Sequence, residues 1–188
     1  MKEDLELFLK KLKAYGNENN IPNVTDEVGK FLNMLIQLKR PRDILEIGCA
    51  NGYSTIWMAE AARAVGARVH TIDFSRPSLA QAKDNVAVAG FSDTVEFYLD
   101  DALRLIPKMD RKLLFDFVFV DGEKASYPDF WKAIEGRMNS GAVVVFDDMI
   151  AFPNKTKSFY DLIQSAKGVE QLLIPIDQND GILMVIKY

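Results

Sequence analysis

The stretch ILEIGCANGYST, residues 44–55, decides the fold of this 188-residue chain. A short apolar run contains an acid, Glu46, and two glycines, Gly48 and Gly52, precede a segment with helical apolar spacing. This order predicts a strand, a tight turn and a helix. Glycines let a backbone approach a ligand, and the first N–H groups of a helix are unpaired. We therefore expect a nucleotide-like cofactor at this turn; a structural turn without a ligand is the alternative.

Composition limits the classes to which the protein can belong. A chain of 188 residues that is 48% hydrophobic can bury one core but hardly two, so we expect a single domain over residues 1–188, with N-terminal helices in 1–40 and the core in 41–188. The net charge of −4 gives no overall attraction to nucleic acid or anionic membranes. The lone Cys49 excludes an intramolecular disulfide and a cysteine zinc cluster. No apolar run approaches the roughly 20 residues that span a bilayer, so we expect a soluble, cytoplasmic protein.

After residue 41, the apolar spacing alternates between extended and helical patterns. The extended runs are 44–47, 69–72, 95–99, 115–120 and 142–146. Because they are almost continuously apolar, we expect a doubly wound α/β fold, with a parallel sheet covered by helices on both faces. The end of the chain differs, since the apolar runs 169–176 and 182–186 are joined only by the turn-forming residues 177–181. That arrangement predicts an antiparallel C-terminal hairpin.

Acidic residues stand in or after every predicted parallel strand. They are Glu46, Asp73, Asp100, Asp101, Asp121, Asp147 and Asp148. In an open parallel sheet, ligands bind beyond the carboxyl ends of the strands. Acids gathered there would repel one another unless ligand hydroxyls, ligand amines or a cation bound between them. For any single acid, capping of the following helix is the alternative role.

The residues of this turn resemble motif I of S-adenosylmethionine-dependent methyltransferases, in the small cation-dependent O-methyltransferase family of the catechol and caffeoyl-CoA enzymes. The family's EIG-x-x-x-GYS is nearly intact in residues 46–54. LDDALRLIP, FVFVDGEKASY and FDDM, which begin at residues 99, 117 and 146, resemble its D-A, D-x-D-K-x-x-Y and D-N segments. The resemblance implies a Rossmann-like seven-stranded methyltransferase sheet closed by the hairpin. It also implies a homodimer, which is common in the family.

The resemblance implies a set of contacts to S-adenosylmethionine. They are Glu46, Gly48, Cys49, Ser54, Asp73, Asp101, Ala102 and Asp121. Asp73 ends the second strand, where an acid accepts the ribose hydroxyls of a nucleoside, and Asp101 and Ala102 would lie beside the adenine. The position of Asp73 suits NAD equally well. An NAD-dependent dehydrogenase therefore remains an alternative, although it leaves the later acid pair and the hairpin unexplained.

The later acids predict a metal site. Asp121, Asp147 and Asp148 end adjacent strands and could converge on a hard divalent cation, for which Mg²⁺ is the first candidate. Such a cation could hold vicinal hydroxyls and aim an ionised oxygen at the sulfonium methyl, with Asp121 and Lys124 as the catalytic pair. Lys124 could take the hydroxyl proton if a nearby cation lowered its pKa from about 10.4, and the resemblance puts the catalytic lysine here. A salt bridge to a neighbouring acid is its other role.

Two residues depart from the family pattern. Asp148 stands where the family has asparagine, so that three carboxylates would face one cation, and Glu123 replaces the aspartate of D-x-D-K. A third carboxylate could tighten cation binding, shift the preference toward Mn²⁺ or Ca²⁺, or damp the Lewis acidity.

The function that we expect is methyl transfer to a hydroxyl of a small, catechol-like acceptor. One alternative keeps the same core but methylates a hydroxylated uridine in tRNA, with Lys108, Arg111 and Lys112 as phosphate contacts; a solvated turn is the other role of these residues. A catalytically silent cofactor-binding module is another alternative, in which Lys124 would be dispensable.

Overall fold

The computed structural model describes residues 3–178 and 180–188, and its centre is a seven-stranded sheet. The strands are β1 (Asp43–Ile47), β2 (Arg68–Asp73), β3 (Val95–Leu99), β4 (Phe115–Val120), β5 (Met138–Phe146), β6 (Val169–Pro175) and β7 (Gly181–Lys187). Their order across the sheet is β3-β2-β1-β4-β5-β7-β6. Strands β1 to β5 pair in parallel, whereas β7 runs antiparallel to both β5 and β6. The predicted mostly parallel sheet with a closing hairpin is confirmed.

Helices cover both faces of the sheet. They are α1 (Glu3–Glu18), α2 (Asp26–Lys39), α3 (Tyr53–Val65), α4 (Arg76–Val88), α5 (Ala102–Leu105), α6 (Tyr127–Glu135) and α7 (Pro153–Ser165). Strand β4 is apolar from residue 117 to residue 120 because both of its faces are buried there. Phe117 and Phe119 pack in a cluster with α1, α2 and α3. Val118 and Val120 pack on the opposite face with α6 and α7. Successive side chains of a strand point to opposite faces, so a strand buried on both sides is apolar at most of its positions.

The N-terminal helices belong to the same packed body as the sheet. Leu9 and Leu12 of α1, and Leu32 and Ile36 of α2, lie in the core cluster on the α3 side. Thr25 caps α2, since its hydroxyl accepts a hydrogen bond from the Val28 backbone N–H at 3.3 Å. No helix within residues 3–178 and 180–188 is long and apolar enough to cross a membrane.

The topology brings the candidate residues to one edge. Strands β1 and β4 are neighbours at the centre of the sheet, and the chain leaves β1 toward β2 on one side and β4 toward β5 on the other. A crevice forms beyond the carboxyl ends of strands at such a switch point. The hairpin adds a further segment to this edge, because antiparallel β7 begins where β5 ends.

Candidate active site

A cavity of about 1240 Å³ lies at the carboxyl edge of the sheet. Its walls come from the turns after the parallel strands, from the segment before α2 and from the β6–β7 hairpin. The lining includes residues 20–25, 47–50, 72–75, 100–103, 121–124, 147–148, 176–177 and 180. The predicted turn, acid pair and lysine therefore share one cleft.

The glycine-rich turn after β1 is held by a single carboxylate. Oδ2 of Asp73 accepts hydrogen bonds from the backbone N–H groups of Cys49 at 3.1 Å and Ala50 at 3.2 Å, and Oδ1 accepts one from Ser75 at 2.8 Å. Gly48 has a φ of +90°, and a Cβ at this position would collide with the carbonyl oxygen of Asp121. Only glycine fits both the conformation and the close approach. The turn after β1 and the end of β4 are thus in direct backbone contact.

Most of the predicted cofactor residues line the cleft. They are Gly48, Cys49, Ser54, Asp73, Asp101, Ala102 and Asp121. The Asp101 side chain also caps α5 by accepting from the Leu103 N–H at 2.9 Å, which is the capping role that the sequence left open. Cys49 is buried, and burial is the main cause that raises the pKa of its thiol.

Glu46 lies beneath the turn instead of on the cleft surface. Its side chain is fully buried, and its two carboxylate oxygens accept hydrogen bonds from the hydroxyls of Ser54 and Thr55, both at 2.6 Å. Burial raises the pKa of Glu46 to about 7, although the hydroxyl donors oppose the shift. In this geometry, Glu46 fixes the start of α3 and acts on the cleft through Ser54.

Three acids of the cleft form a compact group. Asp121, Asp147 and Asp148 each offer a carboxylate oxygen, and these oxygens lie within 4.8 Å of one another. Burial raises the pKa of Asp147, and repulsion from Asp121 and Asp148 adds to the shift. Asp148 has a φ of +54°, a conformation that asparagine and aspartate tolerate better than most residues. A cluster of hard oxygen donors under mutual repulsion fits a divalent cation such as Mg²⁺.

Lys124 bridges two members of this acid triad. Its Nζ donates to Oδ1 of Asp121 at 2.5 Å and lies 2.7 Å from Oδ2 of Asp148. Burial alone would lower the pKa of Lys124, but the two carboxylates outweigh it and raise the pKa above 10.5. Lys124 is therefore an ammonium ion while both pairs persist. The salt bridge that the sequence left open is formed, and it involves the same acids as the predicted metal site.

Sequence reasoning missed a fourth acid, Asp180, at the tip of the hairpin. Its side chain lines the cleft beside the carboxylate of Asp148. Burial is the largest cause that raises the pKa of Asp180, followed by this contact. The sequence contains a signal for a turn residue at this position, because Asp180 immediately precedes Gly181, the first residue of β7. The turn-forming composition of residues 177–181 predicts only a connection between strands.

The wall formed by residues 20–25 was also not predicted. The Nζ of Lys13 in α1 donates to the backbone carbonyls of Asn23 and Val24, which ties the segment to the helix. The hydroxyl of Tyr53 donates to Asp26 at 2.7 Å and fixes the other end. No local sequence pattern specifies this placement, since it depends on how α1 and α3 pack.

The basic residues proposed for tRNA binding lie away from the cleft. Lys108, Arg111 and Lys112 are exposed and precede β4, at the end of that strand opposite to Asp121. None of them lines the cavity. A strand of this length separates its two ends by about 20 Å. Any tRNA phosphate that these side chains contacted would therefore lie outside the cleft.

Comparisons with known proteins show the family to which this chain is related. The family described as O-methyltransferase matches residues 2–187. The chain is similar to catechol O-methyltransferase of Niastella koreensis, with 32% identity over 130 residues, which cover 68% of this chain and 58% of that protein. It is 35% identical to catechol O-methyltransferase of Mycobacterium tuberculosis over 127 residues, which cover 68% of this chain and 57% of that protein. The chain thus spans less than two thirds of the length of these curated relatives.

Solved structures of O-methyltransferases are also similar to this chain, over its whole length. An O-methyltransferase from Bacillus cereus in complex with SAH superposes with a TM-score of 0.88 at 27% identity, covering 100% of this chain and 92% of that one. The O-methyltransferase TomG from Streptomyces achromogenes, in complex with SAM, superposes with a TM-score of 0.86 at 28% identity, covering 100% of this chain and 90% of that one.

Proposed function

The chain belongs to the O-methyltransferase family, and from this premise we propose that it transfers the methyl group of S-adenosylmethionine to a hydroxyl of a small catechol-like acceptor with the help of a divalent cation. The observation that carries the proposal is the presence of the acid triad and Lys124 in the same cleft as the glycine turn. Two relatives named catechol O-methyltransferase support the acceptor class. Two structural neighbours that hold SAH or SAM support the donor.

Asp121, Asp147 and Asp148 would hold the cation. When bound, a divalent ion supplies Lewis acidity, which lowers the pKa of a coordinated hydroxyl and orients it. The donor set of carboxylate oxygens favours Mg²⁺ or Mn²⁺ over softer metals. The third carboxylate, Asp148, adds negative charge where the family pattern has a neutral asparagine, so we expect tighter cation binding than that pattern would give.

Lys124 takes the hydroxyl proton at Nζ. Its two ion pairs hold a proton on Nζ, so it can act as a base only when Asp121 and Asp148 are engaged elsewhere. The same two carboxylates belong to the proposed metal site. Lys124 would therefore be released from its ion pairs, and become able to take up a proton, once these two carboxylates hold a cation. The acceptor oxygen then attacks the methyl carbon opposite the sulfur, and the carbon–sulfur bond breaks to leave S-adenosylhomocysteine.

The close contact of Gly48 with Asp121 sets the distance between the two reactants. The turn that would hold the donor and the acid that would face the acceptor touch through their backbones. This contact restrains both segments, which favours a fixed attack geometry. Residues 20–25 close the cleft on the side of α2.

Calorimetry and methyl transfer test the proposal together. We expect S-adenosylhomocysteine to bind and NAD not to bind. We also expect transfer of labelled methyl to a catechol in Mg²⁺, loss of that transfer in EDTA, and no transfer to bulk tRNA. Binding of NAD without S-adenosylhomocysteine would favour a dehydrogenase. Binding of S-adenosylhomocysteine without transfer to any acceptor would favour a silent module.

A homodimer in the cytoplasm is part of the same proposal. The apolar side chains of Met34 and Leu38, one turn apart on α2, are 62% and 78% exposed, which supports an interface on this helix. Light scattering during size-exclusion chromatography should give twice the mass of the chain, and Leu38→Glu should reduce it to that of one chain.

A further inference from the structure

The segment 148–152, here named the acceptor loop, connects the acid triad to the rim of the cleft. Asp148 begins it in a left-handed conformation, and Phe152 ends it with a side chain that lines the cleft and is 43% exposed. The loop contains no helix or strand. Met149 is buried, but Ile150 is 37% exposed. Burial therefore fixes one point of the loop and leaves the rest to hydrogen bonds.

Asp180 supplies two of these hydrogen bonds. Its Oδ1 accepts from the backbone N–H groups of Ile150 at 3.1 Å and Ala151 at 2.9 Å, as well as from its neighbour Gly181 at 2.6 Å. The carbonyl of Gly181 accepts from the Met149 N–H at 2.8 Å. The tip of the hairpin thus holds three successive N–H groups of the acceptor loop.

A second support reaches the loop from α7. The hydroxyl of Thr156, which is buried, lies 3.0 Å from the carbonyl oxygen of Met149 and 3.1 Å from that of Phe152. Thr156 is neutral and can donate one proton, whereas the carboxylate of Asp180 accepts several. The single hydroxyl proton of Thr156 is shared between two carbonyls, whereas Oδ1 of Asp180 accepts a separate N–H group from each of two loop residues. Asp180 is therefore the stronger of the two anchors.

We propose that Asp180 is a positioning residue for the acceptor, an inference that rests on the methyltransferase function proposed above. By holding Ile150 and Ala151, Asp180 fixes the spacing between the acid pair Asp147–Asp148 and the ring of Phe152. An aromatic diol enters between them with its hydroxyls toward the acids and its ring against Phe152. Asp180 touches neither the reacting oxygen nor the methyl group, and it acts through the loop.

The Phe152 side of this slot is itself held in place. The Nζ of Lys155 lies 5.7 Å from the centroid of the Phe152 ring and 3.2 Å from Oε1 of Glu123. Both charged groups are more than half exposed, so this pair alone contributes little. The first turn of α7 holds the Phe152 backbone, since its carbonyl accepts from the N–H groups of Lys155 at 2.9 Å and Thr156 at 3.1 Å. Asp180 restrains the two residues just before it, Ile150 and Ala151, which link this ring to the acid pair.

The competing role for Asp180 is that of a fourth cation ligand. Among the described residues, the acids whose oxygens lie within 4.8 Å of one another are Asp121, Asp147 and Asp148. Oδ1 of Asp180 already accepts three N–H groups. This commitment favours anchoring over coordination, and the two roles predict different effects of an amide at this position.

The test compares Asp180→Ala with Asp180→Asn, because asparagine keeps an Oδ1 acceptor but loses the charge. For Asp180→Ala, we expect the acceptor KM to rise roughly tenfold and the exchange of the Ile150 and Ala151 amides to accelerate by a similar factor. The Kd for S-adenosylhomocysteine should change less than about twofold, since the donor turn lies elsewhere in the cleft. Asp180→Asn should restore most of the KM and of the amide protection. Thr156→Val, the matched variant on the other side of the loop, should show the same split with a smaller amplitude.

The outcomes separate this inference from the proposed function. A wild type that methylates no catechol would reject the proposed function and the acceptor role with it. An active wild type whose Asp180→Ala variant keeps both its KM and its amide protection would reject the role of Asp180 alone. An equal loss of Mn²⁺ affinity in Asp180→Asn and Asp180→Ala, measured by calorimetry, would make Asp180 a cation ligand and overturn the positioning role.

Discussion

The two halves of the cleft are stabilised in different ways. The donor half is the part of the cleft around the glycine turn, where S-adenosylmethionine is proposed to bind. Here two carboxylates accept hydrogen bonds from protein groups: Asp73 from N–H groups of the turn, and Glu46 from two hydroxyls. On the acceptor half, the charges do not balance, because Asp121, Asp147 and Asp148 face a single lysine. In the first arrangement, each of these two carboxylates has its own hydrogen-bond donors. The second is a preorganised excess of negative charge, which a cation would compensate.

Removal of Lys124 should produce the largest effect and should be confined to the acceptor half. If Lys124 takes the acceptor proton, Lys124→Ala should lower kcat by a factor of about 10²–10⁴. The Kd for S-adenosylhomocysteine, measured by calorimetry, should stay nearly constant because the donor turn makes no contact with Nζ. The matched control is Lys132→Ala, since Lys132 pairs with Asp129 at the same i,i+3 spacing but on the surface. Equal turnover in the two variants would remove Lys124 from the mechanism.

Gly48 joins the two halves, so a side chain there should damage both. Gly48→Ala combines a left-handed conformation with a collision against the Asp121 carbonyl. We expect it to lower the free energy of unfolding by about 3 kcal/mol or more and to weaken both donor binding and turnover. Gly90→Ala is the control, because Gly90 has a φ of +79° and nothing within 4 Å of its Cβ position. It should cost only about 1 kcal/mol in urea unfolding. If the two variants were equally stable, the backbone contact would not couple the halves.

The donor half was predictable because its signals are local. Glycines near a strand end, followed by helical spacing, specify the turn whatever packs around it. Asp121, Asp147 and Asp148 were also correctly brought together, since parallel neighbouring strands end at one edge. Glu46 could have been placed better from the same information. Side chains two apart in a strand share a face, so Glu46 shares the face of Ile44, which packs toward α3.

The rest of the acceptor half depends on contacts between distant segments. Asp180 reaches the cleft because β7 is antiparallel and begins at the edge where β5 ends, which periodicity does not reveal. Lys13 of α1 binds the backbone of residues 23–24 in the segment between α1 and α2, where the sequence has no helical or extended apolar spacing. The ion pairs of Lys124 with two acids at once also depend on tertiary contacts, because Asp148 lies 24 positions along the chain from Lys124. Strand spacing predicts which acids meet, but not which cation or N–H groups they bind.

The pH dependence of stability should reveal the cost of ionising Glu46, which is buried beneath the glycine turn of the donor half. Burial raises the pKa of Glu46 from 4.5 to about 7, so the folded protein binds this proton more tightly than the unfolded chain. The stabilisation is fully present below pH 4.5 and is lost as the pH rises to about 7, a change of roughly 3 kcal/mol. Urea unfolding from pH 4.5 to 8 should therefore show a shallower decline for Glu46→Gln than for the wild type. Glu135→Gln, at the exposed end of α6, serves as the control and should follow the wild type. Parallel curves for the wild type and Glu46→Gln would mean that Glu46 ionises freely and that its burial carries no such cost.

A smaller and more selective change would test whether excess charge distinguishes the acceptor half. Asp148→Asn keeps an oxygen that can accept from Lys124 and suits the left-handed backbone, but it removes one negative charge from the triad. We expect Mg²⁺ to bind roughly tenfold more weakly, because one Coulomb partner is lost. The pKa of Lys124 should fall, since Asp121 and Asp148 together hold it up, and the acidic limb of the kcat–pH profile should move to lower pH. Asp129→Asn, which removes a surface charge beside Lys132, should change neither quantity. Asp148→Asn and Asp129→Asn could instead give the same Mg²⁺ titrations and pH profiles. The acceptor half would then work without its third carboxylate. The contrast between the two halves would rest on Asp121 and Asp147 alone.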